Sequence, residues 1–497
     1  MNTNARDRME DDTELPAVLR SIPLILRALV ENPSKQCGIS SSNFPVLLTT
    51  ALNALMLVSK RCTGPSQLEA LKSIFLCLSR ENLAFARDMC RSGEDGEQSS
   101  AALFDVVAQA GLCPTEVVCN LCDASEQTRH ARAVSIGSRT TGSRRSPIAS
   151  EEDSKHMTEV VKFATTGIVL LHTTEEARSG VVRSVAMVQQ AICSVASSYH
   201  SSSVKEAVVT LSRASTESVF ALARTLETNS GSCEDVLTRI KSSVRSSFEF
   251  LSEWLKVDIH SAPGFSMQIA ANFAASFPAC LQDDAEYFHA DVAETASAVL
   301  EIAPGTEDGD AKRQQLAIAR ADLLRGLYAV VKKLVDMHQS SIANRYLAAL
   351  GPSLVEIVSS TNYPETAAEF AELDEAEGLL RLLTTQLNDH HGAAFVHMLL
   401  PRLAVVLSNP PPTAAENAIP SQVPGILARL LLCFAQTHAA AFKEAVAAMT
   451  PTLRGVLETA LRLALTGSAP AAGARAPSSF SQGSGPTATK LDLSRYA

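Results

Sequence analysis

Along most of the chain, apolar positions recur at helical spacing and are broken by short polar segments. From Arg320 to Val335 the apolar residues Leu323, Leu324, Leu327, Val330, Val331, Leu334 and Val335 fall three and four apart, so they share one helix face. The same pattern predicts helices over 43–60, 67–79, 82–91, 99–110 and 115–123, then over 158–173, 175–199, 203–228 and 233–256. Pro45 sits near the first turn of the first of these, where a missing N–H is harmless. No segment shows the period-two alternation of a strand. Amphipathic helices joined by short breaks predict an all-α fold, a HEAT/armadillo-like helical-hairpin solenoid. At about 40 residues per hairpin, it would hold roughly ten repeats.

Breaks in the periodicity divide the chain. Residues 1–13 read as a disordered N-terminus and 14–124 as a first block of helical repeats. Residues 125–157, rich in Ser, Arg, Thr and Gly, lack an apolar period and read as a linker. A second repeat block spans 158–302, an acidic loop 303–311, and a third repeat block 312–467. In that last block Gly351-Pro352 and Leu400-Pro401 fall inside helical patterns, where proline removes one backbone bond and predicts a kink. Asn409-Pro410-Pro411-Pro412 ends a helix. Residues 468–497 form a Gly/Pro/Ser/Ala-rich spacer with a short terminal motif.

Composition narrows the class. The 497 residues are 46% hydrophobic, enough for a large core, and only 5% aromatic, with Trp254 the single tryptophan. Small aliphatic residues suit close helix packing. A net charge of −10 without a dominant basic field argues against nucleic acid as a partner. Eleven irregularly spaced cysteines read as reduced thiols. The polar, acidic start from Met1 to Pro16 does not read as a secretory signal. No apolar run approaches the ~18 residues of a membrane span, the best being Phe163–Leu171. These features predict a cytoplasmic protein that reaches membranes through partners.

Candidate chemistry is sparse. Cys113, Cys119, Cys122 and His130 are the nearest approach to a metal site, because Cys119-Asn120-Leu121-Cys122 has C-x-x-C spacing. A second C-x-x-C is missing, and small buried hydrophobes are the simpler reading. His390, His391 and His397 have no carboxylate at ligand spacing and read as a solvated helix start and a packed side chain. Nucleophile elbows, phosphate loops and dinucleotide fingerprints are missing, so neither an enzyme nor a cofactor is predicted. Between Val257 and Ala311 there are ten Asp/Glu and no Lys or Arg, including Asp283, Asp284, Glu286, Asp291 and Glu294. Solvated helix faces account for this run more simply than a cargo surface for a basic peptide. Ser146, behind Arg144-Arg145 and before Pro147, is a candidate phosphorylation site that would add negative charge to a basic segment.

The C-terminal region carries a family resemblance. Phe442-Lys443 is followed by Thr450-Pro451-Thr452-Leu453-Arg454, Leu457-Glu458 and Ala460, then the spacer and Lys490-Leu491-Asp492-Leu493. This resembles the end of the HEAT repeat-containing protein 5 family, although the chain closes on Ser-Arg-Tyr-Ala, which departs from it. Family chains are several times longer, so the resemblance implies a C-terminal portion or a shortened relative. It also implies a non-enzymatic scaffold that works with the clathrin-adaptor complex or its accessory proteins, peripheral to endosome and trans-Golgi membranes, in retrograde transport and membrane-protein localisation. Leu491, Leu493 and Tyr496 are candidate partner-binding residues of the tail. Two rival readings of the solenoid are an importin-β-type transport receptor, with Val257–Ala311 as cargo surface, and a regulatory scaffold subunit of a phosphatase or kinase complex.

Overall fold

A computed structural model describes residues 7–31, 43–92, 96–136, 150–173, 178–199, 201–228, 234–259, 263–273, 281–302, 310–360, 364–409 and 422–466. Among the described residues there are helices and no strand. The chain divides into two compact units, Met1–Trp254 with Ala275–Asp284, and Leu255–Ala274 with Ala285–Ala497.

The first unit contains α1 (Asp7–Glu31), α2 (Phe44–Arg61), α3 (Gly64–Cys77), α4 (Arg80–Ser92), α5 (Gly96–Ile136), α6 (Glu151–Thr173), α7 (Arg178–Ser198), α8 (Ser202–Thr228) and most of α9 (Glu234–Asp258). One layer stacks α1 on α3, α3 on α6 and α6 on α8; the other stacks α2 on α5 and α5 on α7. Stacking between alternate helices is what a helical-hairpin solenoid requires, since each hairpin buries its apolar face on the next. Core positions such as Leu48, Leu52, Leu71, Ile74, Ile168 and Leu211 are fully enclosed, each worth about 1.5–3 kcal/mol of burial.

The second unit holds α10 (Pro263–Phe273), α11 (Gln282–Leu300), α12 (Asp310–Asp336), α13 (Ser340–Val358), α14 (Ala367–Thr384), α15 (Asp389–Ser408), α16 (Val423–Thr437), α17 (Ala439–Ala448) and α18 (Pro451–Thr466). Here α10, α12, α14, α16 and α18 form one layer, each packing on the next. In the other, α15 packs on α17, and α11 is tied to α13 through His289 and Tyr346. On α12, Leu323, Leu324, Leu327, Val330, Val331 and Leu334 are buried as their spacing predicts. Helix ends are set by local chemistry. Thr366 and Glu369 form a capping box at the start of α14, each side chain accepting from the other's backbone N–H. After α12, His338 takes a left-handed φ of 58° while Gln339 N–H donates to the Leu334 carbonyl at 2.9 Å, a Schellman-type stop built without glycine.

Several expectations change. Helices 99–110 and 115–123 are one helix, α5, with Pro114 inside it. Proline removes a single backbone bond, and the tight packing of Cys113, Val117 and Val118 holds the helix together across it. Helix α5 runs on to Ile136 and α6 begins at Glu151, so both enter the predicted 125–157 linker; residues 137–149 lie outside the described residues. Helix α1 begins at Asp7, inside the predicted 1–13 tail. Residues joined across neighbouring hairpins are commonly 50 or more apart, as in Arg325–Glu375, Arg320–Glu372, Ser59–Cys113 and His289–Tyr346. The repeat is therefore longer than the predicted 40 residues, because its helices commonly run to four turns or more.

Two helical stretches, Ser100–Asp123 and Asp389–Ser408, are long and apolar enough to cross a membrane by length and composition; α16 with α17, bent by 117°, passes as a pair. This corrects the sequence expectation that nothing approaches that length. Small residues such as Ala, Ser, Thr and Gly interrupt the apolar run, yet the stretch as a whole stays apolar. In the fold, Leu103, Val107, Val117 and Val118 of the first stretch are buried, on a helix that packs against α2, α6 and α7.

Candidate functional site

The sequence candidates do not assemble into a centre. Cys113 and Cys119 are both buried on α5 but turn to different neighbours. The Cys113 thiol lies 3.1 Å from Ser59 Oγ on α2, and the Cys119 thiol reaches the Met187 carbonyl on α7 at 3.7 Å. Burial pushes Cys113 up to about 11 and Cys119 up to about 12. Cys122 is buried as well, and the His130 side chain lies outside the described residues. Among the described residues, no three His, Cys, Asp or Glu side chains come together as a metal site.

His390 and His391 are exposed at the start of α15, where Asn388 Oδ1 accepts from the His391 N–H at 2.9 Å. His397, also exposed, sits 3.8 Å from Glu444. In the acidic stretch, Glu286 is engaged by Arg345 at 2.7 Å and Glu301 accepts from Ser297 at 3.1 Å, so part of that charge is held within its own unit. Asp291 and Glu294 are on α11, whereas the side chains of Asp283 and Asp284 and the loop 303–309 lie outside the described residues. So do Ser146, Leu491, Leu493 and Tyr496.

Charged side chains instead stitch the second unit together. Arg320 on α12 pairs with Glu372 on α14 at 3.2 Å and donates to the Leu300 and Ile302 carbonyls at 2.6 Å each, closing the end of α11. Arg325 pairs with Glu375 at 2.8 Å. Arg429 on α16 reaches both Asp374 and the enclosed Glu377, which Arg381 also contacts. Burial raises the carboxyls of Glu372 and Glu377, against the pull of these arginines. The sequence offered no signal for this ladder, since its partners are some 50 residues apart and each charge looks solvated in isolation.

One surface feature has the form of a binding site. Between α13 and α15 of the second unit runs a groove of about 710 Å³. Leu347, Pro352, Phe395 and Met398 give it an apolar lining, with Glu356 on the α13 wall and Arg402 on the α15 wall. Met398 is 44% exposed, and Val405, two turns further along α15, is 45% exposed. Proline at 352 cannot donate the bond that the Ala348 carbonyl would receive in an uninterrupted helix, which leaves a backbone acceptor near the groove. The groove thus combines apolar side chains with a charge of each sign at its edge.

An α-helical repeat scaffold is the class this fold defines. Residues 330–473 match the family model of LAA1-like, C-terminal TPR repeats. The C-terminal part of the chain thus resembles the C-terminal portion of LAA1-like and HEAT repeat-containing protein 5-like proteins, over a stretch that contains the groove and stops short of the Lys490–Leu493 motif. No curated protein sequence matches the chain. Among solved structures, the SYS-1/POP-1 complex is 10% identical, covering 91% of this chain and 86% of that one at a TM-score of 0.32. A circular tandem repeat protein is 11% identical, covering 90% and 91% at 0.23. A structure of the cadherin–beta-catenin interaction is 13% identical, covering 88% and 99% at 0.21. At those TM-scores these likenesses add nothing to the fold read from the packing.

Proposed function

We propose that the chain is a non-enzymatic helical-repeat scaffold of intracellular vesicle traffic. In this reading it works beside the clathrin adaptor in endosome to trans-Golgi retrograde transport and helps to localise membrane proteins. The observation that carries it is the match of residues 330–473 to LAA1-like C-terminal repeats. That match agrees in place with the Phe442–Ala460 motifs, whose resemblance suggests this role. Physically, the scaffold would act by contact. Helices α13 and α15 flank an apolar groove with opposite charges, while ion pairs tie α12 to α14 and α14 to α16. Partner peptides would dock without chemistry, and membrane association would come through those partners.

Co-sedimentation and co-localisation in the native cells test the reading. The tagged chain is expected on membranes bearing endosomal and trans-Golgi markers and to leave them when the adaptor is acutely depleted. Nuclear-envelope enrichment that ignores adaptor depletion would contradict it.

A further inference from the structure

The groove between α13 and α15 differs from the other helix junctions of the second unit in how its charges are used. Arg325 pairs with Glu375 across α12 and α14, Arg345 with Glu286 across α13 and α11, and Arg429 with Asp374 across α16 and α14. Glu356 and Arg402 face the α13–α15 groove, exposed, and neither has an ion-pair partner among the described residues. Beside them Phe395 and Leu347 are half-buried and Met398 is open. A complementary occupant therefore carries apolar side chains for the floor and brings one cation and one anion.

The chain itself contains such a segment. Lys490-Leu491-Asp492-Leu493 alternates charge with leucine. Extended, it would present both leucines on one side, with the lysine and aspartate about 7 Å apart on the other. It departs from the end of α18, the last described helix, which packs against α15, one wall of the groove. From Thr466 to Lys490 the sequence is Gly-, Pro-, Ser- and Ala-rich. A Gly/Ser-type chain of about 24 residues has a root-mean-square span of about 27 Å, against about 30 Å for the whole length of α15. A tether of that length gives a local concentration on the order of millimolar, so even a weak contact would be occupied.

We propose that residues 490–493 dock in the α13–α15 groove of their own chain. Leu491 and Leu493 lie on Leu347, Phe395 and Met398; Lys490 pairs with Glu356 and Asp492 with Arg402. The tail is then a built-in competitor that a partner must displace. This rests on reading the groove as a peptide-binding surface, but not on any role in vesicle traffic.

A fluorescein-labelled peptide of residues 486–497 tests it by fluorescence polarisation with purified protein. The chain lacking residues 487–497 should bind the peptide saturably, and the full chain should bind it at least tenfold more weakly, because its own tail is in the way. In the shortened chain, Arg402→Glu should weaken binding by roughly tenfold, and an Asp492→Lys peptide should restore most of that loss. These exposed substitutions leave the helical circular dichroism unchanged. No saturable binding, equal binding to full and shortened chains, or indifference to Arg402→Glu would each overturn the proposal. So would a full-length dimer that dissociates on tail deletion, since the occupant would then come from a second copy.

Discussion

The imidazole Nδ1 of His289 on α11 and the phenol oxygen of Tyr346 on α13 lie 2.8 Å apart, both side chains wholly enclosed. Burial lowers the His289 pKa to about 3 and raises that of Tyr346, so the bond joins two neutral groups. An imidazole that stays neutral when folded but takes a proton near 6.5 when unfolded makes stability full above about pH 6.5 and erodes it towards pH 3. Between pH 7 and 5 the loss from this group is about 2 kcal/mol. The raised carboxyls of Glu372 and Glu377 work in the opposite sense, so the comparison must be with a variant. Urea unfolding of the intact chain should be less acid-sensitive in His289→Gln than in the parent, and equal slopes would refute the assignment.

Arg320 holds three acceptors at once, spread across the planar fork of its guanidinium. Arg320→Met strands the buried Glu372 and frees the end of α11, a loss of about 3 kcal/mol by urea midpoint. Lysine at 320 should recover only part of it.

Gly326 on α12 lies against the Met267 side chain of α10, and any Cβ at 326 would collide with it. Gly326→Ala should cost about 1–3 kcal/mol through overpacking. The obstacle is the Met267 Cβ, so Gly326→Ala combined with Met267→Gly, which removes it, should be less destabilised than the sum of the single changes. Strict additivity would place the two residues out of contact.

Thiol accessibility checks the disposal of the C-x-x-C segment. In the native chain Cys113, Cys119 and Cys122 should resist iodoacetamide at neutral pH, while the half-buried Cys62 and Cys193 react faster than these three. All should react in urea. Stoichiometric zinc in the purified chain would instead revive the metal reading.

Sequence pattern was most informative where burial follows helix period. The seven apolar positions of 320–335 mark the buried face of α12, with only Val335 half-exposed. It was misleading at Pro114, which reads as a break locally but is overruled by packing on both sides of α5. The hairpin length was also misjudged, because helix ends such as His338 carry no glycine to announce them. The groove was illegible for a different reason. Phe395 and Met398 have the spacing of core residues, and only the position of α13 shows that they line a surface. Likewise, nothing local distinguishes the enclosed Glu377 from a solvated glutamate.

Affinity purification of the tagged chain from its native cells, followed by mass spectrometry, tests the central claim most directly. The parent chain should be set beside Met398→Glu, which places a charge in the α13–α15 groove. Clathrin-adaptor subunits or their accessory proteins should be recovered with the parent and lost with the variant. Recovery of nuclear pore proteins with a transport GTPase, or of a phosphatase or kinase, with the adaptor missing from both samples, would contradict the account.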